Sequence, residues 1–179
     1  TIVEASSGNT AIALSLIAKQ KGYSVGVVIP GAVAPSIGDL LSIYGAKITW
    51  CEPRAGMKGA IDLAVEMASE SGSHYLGQFD NRINLKTHYR TTGKEIVQDR
   101  PNIDVFVAGI GTGGTIMGVS RRIRETNPEV MVVGVEPRMG EALQGLRSLS
   151  EGYVPPLLDL QQLNRRFLVD NATAIERCR

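Results

Sequence analysis

Cysteine is scarce in this sequence. Cys51 and Cys178 are the only two, no C-x-x-C pair occurs, and only two histidines accompany them. That pattern excludes a disulfide framework and a zinc module, and the thiols read as structural residues of a reducing compartment. Neither sign of charge is in excess: 19 Lys and Arg face 18 Asp and Glu, for a net charge of +1. No general field for nucleic acid or an anionic membrane follows, so any anion recognition must be local. Long apolar runs are also missing. The longest uncharged stretch, Gly22 to Gly38, is broken by Pro30, Pro35 and several glycines, and it is too short and too interrupted to span a membrane as a helix.

What remains is the composition of a globular domain, with 43% apolar and 21% charged residues and mean hydropathy near zero. A chain of 179 residues buries roughly two thirds of its unfolded surface, enough for one moderate core or two small ones. It starts at Thr1 on an apolar run, Thr1-Ile2-Val3, and Ala172 to Arg179 reads as a helix in its first turns. Both ends are therefore expected to continue into a longer protein of roughly 300 residues with two lobes.

Short β-branched runs alternate with helical patterns, the signature of βαβ units and a parallel sheet. Strands are expected at Ile2–Glu4, Ser24–Ile29, Lys47–Cys51, Asp104–Ala108 and Met131–Glu136. Asn9 to Gln20 reads as a helix with Ile12, Leu14, Leu16 and Ile17 on its apolar face, stopped by Gly22. Pro35 to Tyr44, Lys58 to Ser69, Thr92 to Gln98 and Ile116 to Glu125 read likewise, the second with Ile61, Val65 and Ala68 at helical spacing. The polar, turn-rich segment from Gln78 to Lys86 is expected to be a crossing or a functional loop. From Arg138 to Asp170 the pattern weakens, with Tyr153-Val154-Pro155-Pro156 as an extended connection.

Two loops carry chemistry. Gly109-Ile110-Gly111-Thr112-Gly113-Gly114-Thr115 follows a strand and opens a helix, so free N–H groups and the positive end of the helix dipole converge there, with two threonine hydroxyls added. A phosphate is the natural occupant; a turn that merely allows close strand–helix packing is the weaker explanation. Ser6-Ser7-Gly8-Asn9-Thr10 repeats the arrangement, beyond what simple capping by Ser7 or Asn9 needs. Two such helix starts at the carboxyl ends of parallel strands imply a ligand with two anionic groups, or a cofactor and a substrate. The same glycines satisfy G-x-G-x-x-G, with Glu136 at the end of the next strand. The alternative is therefore an NAD-dependent oxidoreductase domain of Rossmann type, although that reading leaves Ser6–Thr10 unexplained.

The combination resembles the cysteine synthase family, the fold-type II pyridoxal-phosphate enzymes related to cystathionine β-synthase. The resemblance lies in Glu4 to Ala11, Gln78-Phe79-x-Asn81-x-x-Asn84 with Thr91-Thr92-Gly93, Gly109 to Thr115, and Gly134-Val135-Glu136-Pro137. Gly140-Glu141, Leu146-Arg147 and Glu151 to Pro155 look like the branch that accepts O-phosphoserine.

The resemblance implies an α/β, two-lobed architecture of parallel-sheet three-layer lobes. Residues 1–80 would form a small lobe with the substrate loop, and 81–179 part of a large lobe with the phosphate loop. It implies pyridoxal 5′-phosphate held through Gly111, Thr112, Gly113, Gly114 and Thr115, with Asn9 on the ring's 3′-oxygen. Ser6, Ser7, Gly8, Thr10 and Gln78 would hold the substrate α-carboxylate, and Arg147 a substrate phosphate, unless it is a solvated surface arginine. The implied reaction is β-replacement, in which an O-activated serine loses its leaving group and sulfide adds. A cytoplasmic homodimer that binds small molecules, without nucleic acid or membrane, is expected.

The resemblance places the family's Schiff-base lysine, in a Ser-x-Lys context, where it would precede Thr1, and the residue facing the pyridine nitrogen where it is expected beyond Arg179. None of Lys19, Lys21, Lys47, Lys58, Lys86 or Lys94 stands in that context, so no catalytic residue is assigned here. A non-catalytic relative without the lysine is the remaining alternative. Smaller departures are Ala5 for proline, Ala11 for glycine and Arg82-Ile83 for Pro-Ala.

Overall fold

A computed structural model describes residues 1–31, 33–141, 143 and 145–178; Arg179, at the end of the expected last helix, lies outside them. The chain divides into two compact units, Thr1–Gln78 and Phe79–Arg179.

In the first unit, the apolar run Val25–Pro30 forms strand β2, buried along its whole length. It lies between β1 (Ile2–Ala5) and β3 (Lys47–Cys51), and a short β4 (His74–Tyr75) adds to the far edge of β1. All these pairings are parallel, with Val3 opposite Gly26 and Val27 opposite Ile48. Helices α1 (Asn9–Gln20) and α2 (Pro35–Ile43) cover Val25, Val27 and Ile29, while α3 (Gly56–Ser71) packs on β1 and β2. Gly22, at φ 76°, follows α1 in the left-handed conformation that stops a helix.

The expected helices form, but on different faces. The buried residues of α1 are Ala11, Ser15 and Ala18, and Leu16 and Ile17 are exposed. Those of α3 are Met57, Ala60, Ala64 and Ala68, and Val65 is exposed. Small residues at helical spacing let the helix backbone lie close to the sheet, so the largest side chains do not mark the inner face.

The chain passes from one unit to the other at Gln78–Phe79, within the segment expected as a crossing or loop, but the rest of that segment differs from the expectation. Arg82–Arg90 is a helix, α4, rather than a loop, and Asn81 caps it by accepting the Ile83 N–H at 3.0 Å. After α5 (Thr92–Asp99) come β5 (Val105–Gly109), α6 (Gly114–Ile123), β6 (Met131–Pro137), β7 (Arg165–Val169) and α7 (Asn171–Cys178). The strands form a parallel sheet in the order β5-β6-β7. Its core gathers Ile116, Val119 and Ile123 of α6 against Phe106, Ala108 and Val132, with Leu85 and Ile96 at the rim. On the other face Val105, Val107 and Phe167 are 50%, 56% and 65% exposed. No helix among the described residues is long and apolar enough to cross a membrane.

Candidate functional site

In the first unit, the chain leaves β1 at Ala5 and enters α1 at Asn9, and Ser6 organises the turn between them. Its N–H donates to the Val28 carbonyl at 3.0 Å. Its buried hydroxyl accepts the N–H groups of Gly8 at 3.3 Å and Ala11 at 3.2 Å. Neither Ser7 nor Asn9 caps the helix; Gly8 holds that position without a side chain to do so. Among the described residues the backbone N–H groups of Ser7, Asn9 and Thr10 have no protein acceptor. They form an open donor set at the positive end of α1.

Gln78 belongs to the same cluster. It accepts the Thr10 hydroxyl at 2.7 Å and donates its amide to the Ala5 carbonyl at 2.7 Å. Beneath them lies a residue that sequence reasoning passed over as part of a motif. Glu4 is fully buried, and its carboxylate accepts the N–H of Ala5 at 2.8 Å and of Gln78 at 3.1 Å. One buried acidic side chain thus ties the start of the Ser6–Thr10 loop to Gln78, 74 residues away in sequence. A carboxylate in a strand written otherwise in Ile, Val and Ala was the available signal, since a buried charge must be paired or hydrogen-bonded.

In the second unit, β5 ends in the glycine loop and α6 begins at Gly114. Each glycine has its own reason. Gly113 adopts φ +87° at the helix start, where an L side chain is strained. A Cβ on Gly111 would lie 2.7 Å from the Gly145 carbonyl oxygen, one on Gly109 would strike Leu146, and one on Gly114 would strike the Asn84 carboxamide. Close packing therefore explains Gly109, Gly111 and Gly114, but it does not explain the donors. Among the described residues, the N–H groups of Gly111, Thr112, Gly113, Thr115 and Ile116 have no protein acceptor. The first helical bond of α6 runs from Met117 to the Gly113 carbonyl. A row of unpaired N–H groups at a helix start, with threonine hydroxyls among them, fits a phosphate.

His88 of α4 stands behind this loop, with Nε2 at 3.1 Å from the Thr115 hydroxyl and Nδ1 at 3.1 Å from that of Thr92. Burial lowers its pKa from the ordinary 6.5. The folded protein keeps the ring neutral where the unfolded chain takes up a proton, so stability is full above about pH 6.5 and declines as pH falls through that value toward the folded pKa. Urea titrations at about pH 7.5 and 5.5 should show this decline, smaller in His88→Gln.

Arg147 is not a solvated surface residue. Its guanidinium lies 5.2 Å from the Phe79 ring centroid and 5.9 Å from that of Tyr153, two rings in edge contact at 6.0 Å. Its backbone N–H donates to the Ile110 carbonyl at 2.8 Å, which ties it to the glycine loop. Burial lowers its pKa, opposed by Glu151 and Tyr153. Among the described residues the guanidinium makes no hydrogen bond or ion pair.

Glu136 answers the dinucleotide alternative. Its carboxylate is 1% exposed, accepts the Leu149 N–H at 2.6 Å and pairs with Arg166 at 3.2 Å. Both oxygens are committed to the protein, so this acid is not presented to a ribose.

Comparison with known proteins shows the family. A family model described as pyridoxal-phosphate dependent enzyme matches residues 1–179. A cysteine synthase from Flavobacterium sp. is 38% identical over 98% of this chain and 60% of its own length. The crystal structure of O-ureido-L-serine synthase superposes with a TM-score of 0.89 at 34% identity, over 98% of this chain and 58% of the other. A hydrogen sulfide-producing enzyme from Fusobacterium nucleatum gives 0.88 at 30% identity, over 98% and 62%. The chain thus spans about 60% of the length of the curated relative. These neighbours share the α/β fold with parallel sheets, and the chain belongs to the family of pyridoxal-phosphate dependent enzymes.

Proposed function

We propose that the complete protein forms L-cysteine from an O-activated serine, O-acetylserine or O-phosphoserine, and sulfide, by β-replacement. The observation that carries this reading is the set of open N–H groups of Gly111, Thr112, Gly113, Thr115 and Ile116 with the Thr112 and Thr115 hydroxyls among them, a donor set that fits the cofactor phosphate. Bound pyridoxal phosphate supplies the electron sink for chemistry at the substrate's α- and β-carbons.

The chain's own residues bind and orient. The N–H groups of Ser7, Asn9 and Thr10 receive the α-carboxylate, and Ser6, through its bonds to Gly8 and Ala11, fixes the direction in which they point. Gln78 holds the Thr10 hydroxyl in place. The Asn9 side chain, exposed on the first turn of α1, hydrogen-bonds the ring oxygen. Arg147, a cation braced by two aromatic faces, receives the leaving group's phosphate if O-phosphoserine is the donor. Residues 1–80 are the substrate lobe and 81–179 part of the cofactor lobe of a cytoplasmic homodimer. The 38% identity to a cysteine synthase supports this substrate class.

In the full-length protein, Asn9→Ala should reduce kcat/KM by about a hundredfold, the scale of a lost hydrogen bond to a charged group, with an unchanged melting temperature. Unchanged turnover would remove Asn9 from the site.

A further inference from the structure

The two hydroxyls of the glycine loop are backed by one helix. The Thr112 oxygen accepts the Gly114 N–H at 3.2 Å and the Asn84 amide at 3.0 Å. A hydroxyl oxygen has two lone pairs, so both are taken and only its proton is left to offer. Among the described residues nothing receives that proton. One turn further along α4, His88 sits 3.1 Å from the Thr115 hydroxyl, with Thr92 on its other nitrogen.

Glycines make the approach close enough. Gly114 and Gly118, one turn apart on α6, face these two residues of α4. A Cβ at 114 would strike the Asn84 carboxamide, and one at 118 would stand 2.8 Å from the His88 Cβ and 2.5 Å from the Leu85 carbonyl oxygen.

We propose that Asn84 and His88 are positioning residues that turn the Thr112 and Thr115 hydroxyls into obligate donors toward a bound phosphate. A neutral imidazole has one N–H and one bare nitrogen. With the proton on Nε2, His88 donates to Thr115, frees the Thr115 proton for the phosphate, and accepts the Thr92 hydroxyl on Nδ1. The opposite tautomer draws the Thr115 proton onto Nε2 and presents a lone pair to an anion, which is repulsive. The bound phosphate therefore selects the Nε2–H form. This inference rests on the reading of Gly111–Thr115 as the cofactor-phosphate loop.

The test compares dissociation constants for pyridoxal phosphate and for pyridoxal, which lacks the phosphate, in full-length protein stripped of cofactor. His88→Leu should weaken pyridoxal phosphate about tenfold, and Asn84→Asp, which replaces a donor by an anionic acceptor, about a hundredfold. Pyridoxal should change less than about twofold in both, because only the phosphate senses the loop hydroxyls. His88→Gln, whose side-chain amide offers an N–H near the Nε2 position, should stay within about threefold of wild type. Nitrogen-15 NMR of histidine in wild-type holoenzyme, which needs no variant, should report the Nε2–H tautomer.

Equal weakening of both ligands, an unaltered preference for the phosphorylated one, or an Nδ1–H ring in the holoenzyme would overturn the proposal. Thr112→Val and Thr115→Val separate it from the reading beneath it. If they abolish the phosphate preference while the α4 variants do not, only the positioning role fails. If they also leave it intact, the phosphate loop itself has been misassigned.

Discussion

Gly118→Val should destabilise the protein by about 3 kcal/mol or more and weaken cofactor binding in the same variant. Position 118 lies where α6 crosses α4, and the atoms a new side chain would meet are mostly backbone. The Leu85 carbonyl oxygen would stand 2.5 Å and the Tyr89 nitrogen 2.9 Å from the first added carbon. A flexible side chain could swing aside, but here α4 itself must move. Overpacking of a core typically costs 1 to 3 kcal/mol, occasionally more, and a branched residue against backbone belongs at the upper end. Displacing α4 also withdraws Asn84 and His88 from the hydroxyls they back. Denaturant titration measures the first effect and a cofactor titration the second. A variant as stable as wild type would show that the two helices are not in close contact.

Glu4→Ala should lose about 3 kcal/mol of stability, because it leaves the N–H groups of Ala5 and Gln78 without their acceptor, each worth about 1 to 3 kcal/mol when buried. Glu4→Gln is the more informative change. It keeps one acceptor oxygen and replaces the other by an amide that faces an N–H, so it should fold while the register between Gln78 and the Ser6–Thr10 loop slips. The full-length enzyme should then show a KM for the amino acid raised about tenfold or more with a smaller change in kcat, since the lost function is carboxylate binding. Unchanged KM in Glu4→Gln, alongside raised KM in Thr10→Ala, would confine Glu4 to folding.

The strand–loop–helix order and both glycine and hydroxyl loops are legible from residue type because each depends on local geometry. A strand must end, glycine must adopt φ +87° at position 113, and a helix must start. Helix α4 was not legible. Its segment, Arg-Ile-Asn-Leu-Lys-Thr-His-Tyr-Arg, has no buried residue, so the hydrophobic period that announces a helix is missing. It docks through its backbone against glycines on α6 instead, and the signals available were Asn81 as a cap and the spacing of Gly114 and Gly118.

The same physics hid the inner faces of α1 and α3, where Ala11, Ser15, Ala60 and Ala64 are buried in place of the larger Leu16 and Val65. Strand β7 escaped notice because it reads Arg-Arg-Phe-Leu-Val and is exposed along most of its length, while β4 is only two residues long. Glu4, Glu136 and Arg147 meet Gln78, Arg166 and Phe79, partners distant in sequence that no local pattern reveals.

The central claim is that Gly111–Thr115 holds the phosphate of pyridoxal phosphate. Titration of the full-length protein with pyridoxal phosphate, followed by the absorption of the lysine-bound cofactor, tests it most directly when run beside the double variant Thr112→Val/Thr115→Val. Wild type should bind saturably, and the variant about a hundredfold or more weakly. Absent cofactor absorption in wild type, or equal affinity in the two proteins, would contradict it.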